Sequence, residues 1–170
     1  MRHRRPGPAR DQRLYTVEER QRRDASPWTL VQGVLAPIQF AVFLVSLVLV
    51  LRYLATGEGL TAATVSIVVK TLVLYAIMIT GSIWEKAVFG RYLFARPFFW
   101  EDVVSILVLA LHTAYLGALV LGSLDPRGQM FLALAAYTSY VVNAAQFVLK
   151  LRAARLERPA DAAPALGLVG

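Results

Sequence analysis

The sequence predicts an all-α membrane protein, four transmembrane helices in an up-down-up-down bundle with the N-terminus and the C-terminus both inside. Three observations predict it. Hydrophobic residues make up 57% of the 170-residue chain against 17% charged, with a mean hydropathy of +0.54, a balance foreign to water-soluble domains. Four apolar runs each suffice to cross a hydrocarbon core of about 30 Å at about 1.5 Å per residue. The basic residues gather at the two chain ends and in one loop.

The first run, Trp28 to Leu54, carries one charge, Arg52, near its end. It is too long for a signal-peptide core and lacks a small-residue cleavage site, so no removal is expected. The others cover Thr61 to Ile83, Phe99 to Leu121 and Gln129 to Leu149. Between them lie Thr56 to Gly59, a longer loop from Trp84 to Pro97, and Gly122 to Gly128, each with turn residues where helices should stop. Eight arginines precede Trp28, Lys86, Arg91 and Arg96 occupy the long loop, and Lys150, Arg152, Arg155 and Arg158 close the chain. These belong on the cytoplasmic side, leaving Arg52 and Arg127 opposite. Residues 1–27 then form a basic cytoplasmic tail, 28–152 the transmembrane domain, and 153–170 a disordered cytoplasmic tail. Within the first tail, Arg2 to Arg13 reads as disordered, and Thr16 with Glu19 forms a capping box that opens a short surface helix.

The composition narrows the chemistry. With no cysteine and two histidines, disulfides, thiolate metal sites, iron–sulfur clusters and cysteine nucleophiles are excluded, and no metal is expected to be held by the protein alone. The net charge of +7 lies on tails and a loop rather than on a folded face, which points to anionic lipid headgroups and not to nucleic acid.

Polar residues at hydrocarbon depth carry the information, since a central charge costs about 2.5 to 3.5 kcal/mol to insert. Thr71, Tyr75, Met78, Ser82 and Glu85 fall on one helical face, as do Glu101, Ser105 and His112 in the third run, with Asp102 displaced by about 100°. Ser139, Asn143, Gln146 and Lys150 repeat the spacing in the fourth run, and Gln32, Gln39 and Ser46 in the first, where Pro37 is expected to kink the helix. The stripes converge on a polar cavity open to the cytoplasm. Glu85, Glu101 and Asp102 lie near its mouth, His112 about 17 Å deeper than Glu101, and Lys70 at a similar depth to His112. Such a cavity suits a flat, greasy molecule with a few polar handles. Singly, the three carboxylates read as interfacial charges beside an aromatic belt; together, on inward stripes, they point to function. Asn143, Gln146, Gln32 and Gln39 suit interhelical hydrogen bonds as well as ligand contacts, Lys70 a snorkelling or paired role, and His112 a satisfied interhelical bond as well as a ligand or acid.

The runs WTLVQGVLAPIQF, LATGEG, VKTLVLYAIMITGSIWEKAVFGRYLFA, FFWEDV, LALHTAY and NAAQFVLKLRAARL resemble the 3-vinyl bacteriochlorophyllide hydratase family over residues 14 to 156. The resemblance implies an integral enzyme of the bacterial inner or intracytoplasmic photosynthetic membrane. It would add water to the C3 vinyl group of chlorophyllide a or 3-vinyl bacteriochlorophyllide a to give a 3-(1-hydroxyethyl) group, beside other enzymes of pigment synthesis. Hydration moves no electrons, so no cofactor is expected. The residues suggest how: an acid must protonate the terminal vinyl carbon and a base must then deprotonate water. A carboxyl group partly desolvated by Trp84, Phe98, Phe99 or Trp100 would stay protonated near neutrality, more so beside a second carboxylate. Glu85 and Glu101 suit this best, with Asp102 in reserve, each role contributing about 10² to 10⁴ in rate. His112 would ligate the substrate's magnesium or donate a proton. Lys86, Arg91 or Arg96 would meet the propionate, and Tyr75, Asn143 and Gln146 the ring carbonyls. The competing classes are a non-catalytic tetrapyrrole carrier or assembly protein and a small proton-coupled transporter; four short spans without broken helices argue against the last.

Overall fold

A computed structural model describes residues 14–156, whose regular structure is entirely helical. The expectations for Arg2 to Arg13 and for the tail beyond Leu156 lie outside the described residues. The first helix, α1 (Val17–Ala25), opens on a capping box: Thr16 Oγ1 accepts from the Glu19 amide at 3.2 Å, and Glu19 Oε2 accepts from the Thr16 amide at 2.8 Å. Glu18 and Glu19 in its first turn and Arg22 and Arg23 in its last complement the helix dipole. It stops at Ser26, which is extended because Pro27 follows.

Four helices are long and apolar enough to cross a membrane: α2 (Pro27–Thr56), α3 (Leu60–Phe89), α4 (Phe99–Leu121) and α5 (Pro126–Leu156). Pro27 starts α2 at a position where a missing N–H is harmless, and Pro37 sits inside α2 without ending it. The α2–α3 connection is short because Gly57 (φ 76°) and Gly59 (φ 83°) both take left-handed backbone, which a side chain would oppose. At the start of α5, Asp125 Oδ1 accepts from the Gly128 amide at 3.1 Å.

Two boundaries differ from the sequence reading. The helix α3 continues six residues past Ile83, through the segment expected to be loop, because Trp84 to Phe89 contains no helix breaker before Gly90 and buries Glu85 and Val88. Similarly, α5 runs on beyond Leu149, since the basic residues that follow are good helix formers.

Cross-helix contacts fix the neighbours. Trp84 Nε1 donates to Thr29 Oγ1 (2.9 Å) and Gln32 to Thr80 (2.7 Å), so the start of α2 lies beside the end of α3. Tyr75 and Thr113 join α3 to α4 at 2.9 Å, and Ser46 joins α2 to Ser66 of α3 (2.7 Å) and to Tyr137 of α5 (2.5 Å). A core of Phe43, Val50, Ile67, Leu74, Val108 and Met130 fills the interior with Tyr115 and Tyr137. The outward faces are also apolar, with Leu30, Val48, Ile79, Leu107, Val120 and Phe131 exposed, as a lipid-facing surface requires.

Because lipid replaces water outside, packing rather than apolarity separates inside from outside. Ile67→Ala, at a position with no exposure, should destabilise the protein by about 2 kcal/mol or more. Val48→Ala, on the outer face, should stay within about 0.5 kcal/mol. Thermal unfolding in mild detergent would show this ordering; equal losses would mean that Ile67 is not part of a packed core.

Candidate active site

The extension of α3 to Phe89 brings its last two turns against the first turn of α4, and the residues that meet there are acidic. Glu85, Asp102 and Glu101 are 5%, 4% and 6% exposed. Carboxyl groups so removed from solvent need partners. Glu85 Oε2 accepts from the backbone amide of Ala95 (3.2 Å), and Asp102 Oδ2 accepts from that of Phe94 (2.7 Å). The two carboxyl groups also lie within hydrogen-bonding reach of each other. The connection they grip is tight: Gly90 ends α3 in left-handed backbone, Phe94 adopts φ 59°, and a 3-10 turn over Arg96–Phe98 leads into α4. A left-handed phenylalanine costs about 1 to 2 kcal/mol, so the carboxyl–amide bonds hold a conformation the chain would not take alone.

Glu101 has a different partner. Its Oε2 lies 2.5 Å from Lys150 Nζ, which also donates to the Pro97 carbonyl and stands 5.1 Å from the centre of the Phe98 ring. Asn143 of α5 donates to the Glu101 carbonyl oxygen (2.8 Å) and to Ser105 Oγ (3.0 Å), tying α5 to the first turn of α4. The pair favoured from the sequence, Glu85 with Glu101, does not form: Glu85 meets Asp102, the residue held in reserve, while Glu101 goes to Lys150. The reason is angular: Asp102, about 100° round the helix from Glu101, turns toward α3 as Glu101 turns toward α5.

An aromatic cluster covers this layer. Phe98 stacks on Phe147 (5.9 Å between ring centres), meets Trp84 edge-on (5.6 Å), and lies near Tyr15, which stacks on Phe89 (5.7 Å). Burial in that cluster raises the Tyr15 hydroxyl pKa above its ordinary value, against the opposing charge of Arg23. Of the four aromatics expected to screen the carboxyl groups, Trp84 and Phe98 join this buried cluster, Phe98 beside the Lys150 amine that pairs with Glu101. The other two, Phe99 and Trp100, are exposed, Trp100 by 69%.

A second polar layer lies deeper, about 15 Å from Asp102 at about 1.5 Å per residue along α4. Lys70 and His112 are wholly buried there. His112 Nδ1 bonds the Val108 carbonyl at 2.8 Å, leaving Nε2 without a partner, and Lys70 Nζ sits 3.9 Å from the centre of the Tyr140 ring with no hydrogen bond. Tyr137 packs its ring 5.8 Å from that of His112 and bonds Ser46. A groove of about 270 Å³, lined by Phe43, Leu47, Leu134, Tyr137, Thr138, Val141 and Val142, opens between α2 and α5.

The remaining candidates are spread around these layers. Lys86, Arg91 and Arg96 are exposed at the α3–α4 connection, Lys86 donating to the Gly90 carbonyl at 3.0 Å. Tyr75 is bound to Thr113, Asn143 is committed to α4, and Gln146 keeps a buried Oε1 without a partner. Tyr137, Tyr140 and Ser66 were missed by the sequence reading. Their signal was present: Ala133, Ala136, Tyr137 and Tyr140 share an inward stripe, and a phenol at that depth needs a partner.

The fold and site thus define a helical protein suited to crossing the membrane several times, with a buried carboxyl pair at one end and a buried amine and imidazole further in. The profile of the 2-vinyl bacteriochlorophyllide hydratase family matches residues 15–153, and the chain belongs to that family, the one its sequence runs resemble, with the vinyl group numbered 2 rather than 3. It is 65% identical over 153 residues to the 2-vinyl bacteriochlorophyllide hydratase of Rhodobacter capsulatus, covering 90% of this chain and 89% of that one. To the protein of the same name from Cereibacter sphaeroides it is 66% identical over 149 residues, 87% of this chain and 92% of the other. No solved structure matches it.

The Glu101–Lys150 pair joins α4 to α5 and is only partly open to solvent. Lys150→Met should cost about 1 to 3 kcal/mol by leaving Glu101 buried without its cation, and combining it with Glu101→Gln should recover most of the loss. A double-mutant cycle on thermal stability checks this; additive losses would show the pair to be uncoupled.

Proposed function

We propose that this chain adds water to the vinyl substituent of a chlorophyllide-type pigment, producing the 1-hydroxyethyl group, and that Glu85 and Asp102 perform the proton transfers. The observation that supports this most directly is the buried carboxyl pair contributed by consecutive helices. Hydration requires one acid and one base in the same place, and two carboxyl groups sharing one proton provide both.

The acid partner transfers its proton to the terminal vinyl carbon, and the π electrons form the new C–H bond. The cation left on the ring-attached carbon is spread into the macrocycle. Water attacks that carbon, and its surplus proton passes to the carboxylate, so the pair ends with the one proton it began with. The shorter amide bond, 2.7 Å at Asp102 against 3.2 Å at Glu85, favours Asp102 as the anionic partner and Glu85 as the acid. Glu101, held by Lys150, serves as a positioning residue for the first turn of α4. Lys86, Arg91 and Arg96 lie where a propionate at the protein surface would meet a cation, and Lys70, Tyr75 and Gln146 are the candidates for polar groups on the ring. No redox cofactor enters this scheme, since substrate and product differ by one water.

The same reading makes the chain a multi-pass protein of the bacterial inner membrane, up-down-up-down, with both termini and the α3–α4 connection in the cytoplasm. The natural absence of cysteine makes this simple to test. A membrane-impermeant thiol reagent applied to spheroplasts should label Glu58→Cys and spare Arg91→Cys until the membrane is opened; the reverse pattern would invert the topology.

For the activity, the purified protein incubated anaerobically with the 3-vinyl pigment, without added cofactor, should yield a product heavier by one water. A pigment bound but chemically unchanged would make the protein a carrier instead. Glu85→Gln and Asp102→Asn should each lower turnover by about 10² to 10⁴ while pigment binding persists, and Glu101→Gln should lose less. Near-wild-type rates in both pair variants would remove Glu85 and Asp102 from the chemistry.

A further inference from the structure

The proton transfers at the carboxyl layer leave His112, in the deeper polar layer, without a task, and its side chain holds an unanswered lone pair. His112 Nδ1 faces the Val108 carbonyl oxygen at 2.8 Å, an acceptor, so Nδ1 carries the proton and donates it. Nε2 is then the basic nitrogen. It is fully buried and has no donor to satisfy it. The nearby cation does not serve, since Lys70 Nζ engages the face of the Tyr140 ring at 3.9 Å. Nor does the phenol of Tyr137, whose oxygen is bound to Ser46 at 2.5 Å. A buried acceptor without a donor is costly, and its orientation here is fixed by a backbone bond, the arrangement by which histidines are held ready for a metal.

We propose that His112 Nε2 is the axial ligand for the magnesium at the centre of the pigment. This deepens the hydratase reading and rests on it for the identity of the ligand, because a chlorophyllide carries a coordinatively unsaturated magnesium above and below its ring plane. The pigment reaches His112 from the lipid side, through the groove between α2 and α5. Tyr137 lines that groove and also packs against the His112 ring, so it is the side chain that must turn to admit the macrocycle. Axial ligation sets the plane of the ring relative to α4, and so orients the vinyl edge relative to the rest of the interior. His112 binds the pigment directly in this scheme and takes no part in proton transfer.

The test compares a magnesium pigment with its metal-free counterpart, 3-vinyl chlorophyllide a with 3-vinyl pheophorbide a, by titrating each into the purified wild-type protein and following pigment absorption. Wild type should bind the magnesium pigment at least about tenfold more tightly than the metal-free one. In His112→Leu the magnesium pigment should fall to the metal-free affinity, with metal-free binding unchanged, and in His112→Gly added imidazole should restore the preference. Equal affinity of the two pigments in the wild-type protein would overturn the proposal without any variant. Loss of both affinities together in His112→Leu would also overturn it, marking the histidine as structural. The outcome is separable from the hydratase reading. A metal preference without conversion to the hydrated product would leave the ligand assignment standing and remove the activity. Conversion without a metal preference would do the opposite.

Discussion

Every polar group inside this protein answers to one constraint: a helix with lipid outside can place a charge only where another part of the protein meets it. Four helices whose outer faces are Leu, Val, Ile and Phe leave only the shared interior for Glu85, Asp102, Glu101, Lys70 and His112. The interior answers them unequally. Glu101 finds an amine, Glu85 and Asp102 find each other and two backbone amides, and Lys70 finds only an aromatic face. The gradation runs from full satisfaction at Glu101 to none at Lys70 Nζ and His112 Nε2, which keep no hydrogen-bond partner for their buried atoms.

On the proposed reading, the two layers divide the work that hydration demands. Protons must come from and return to water, which favours the end of the bundle where the chain turns and charged residues reach the surface. A macrocycle needs apolar walls and a few fixed contacts, which the centre offers through Phe43, Tyr137 and Tyr140 around His112. The roughly 15 Å that separates Asp102 from His112 along α4 places both demands on one helix. In such an arrangement α4 is the ruler of the site, and α5 secures it through Asn143 at its start and the Lys150 ion pair at the same turn.

Much of this was legible in the sequence because lipid imposes a simple grammar. The four apolar runs, the capping box at Thr16, the stripes bearing Glu85, Glu101 and His112, and the depth of Lys70 all follow from period and cost. What could not be read was partnership. Glu101 and Asp102 are neighbours in sequence, and which of them faces α3 depends on a helix rotation that periodicity leaves open by tens of degrees. The extent of α3 was hidden for a related reason: Glu85 and Lys86 look like loop charges until the helix is seen to continue and bury one while exposing the other. Trp100 misled similarly, since an aromatic at a membrane boundary is equally at home facing inward or out.

The α3–α4 connection shows why the carboxyl pair is unlike a simple salt bridge. Removing Glu101 from Lys150 costs contacts between α4 and α5, whereas Glu85 and Asp102 hold a loop whose left-handed Phe94 has no helical reason to exist. Strain of this kind persists only where the surroundings over-determine it. Here they do so through two amide bonds to carboxyl oxygens, which turn one oxygen of each carboxyl toward the loop. On the proposed reading, two acids positioned by backbone amides lose little freedom when a proton passes between them and a third molecule, and a reaction that ends with the proton count it began with gains from such fixed positions.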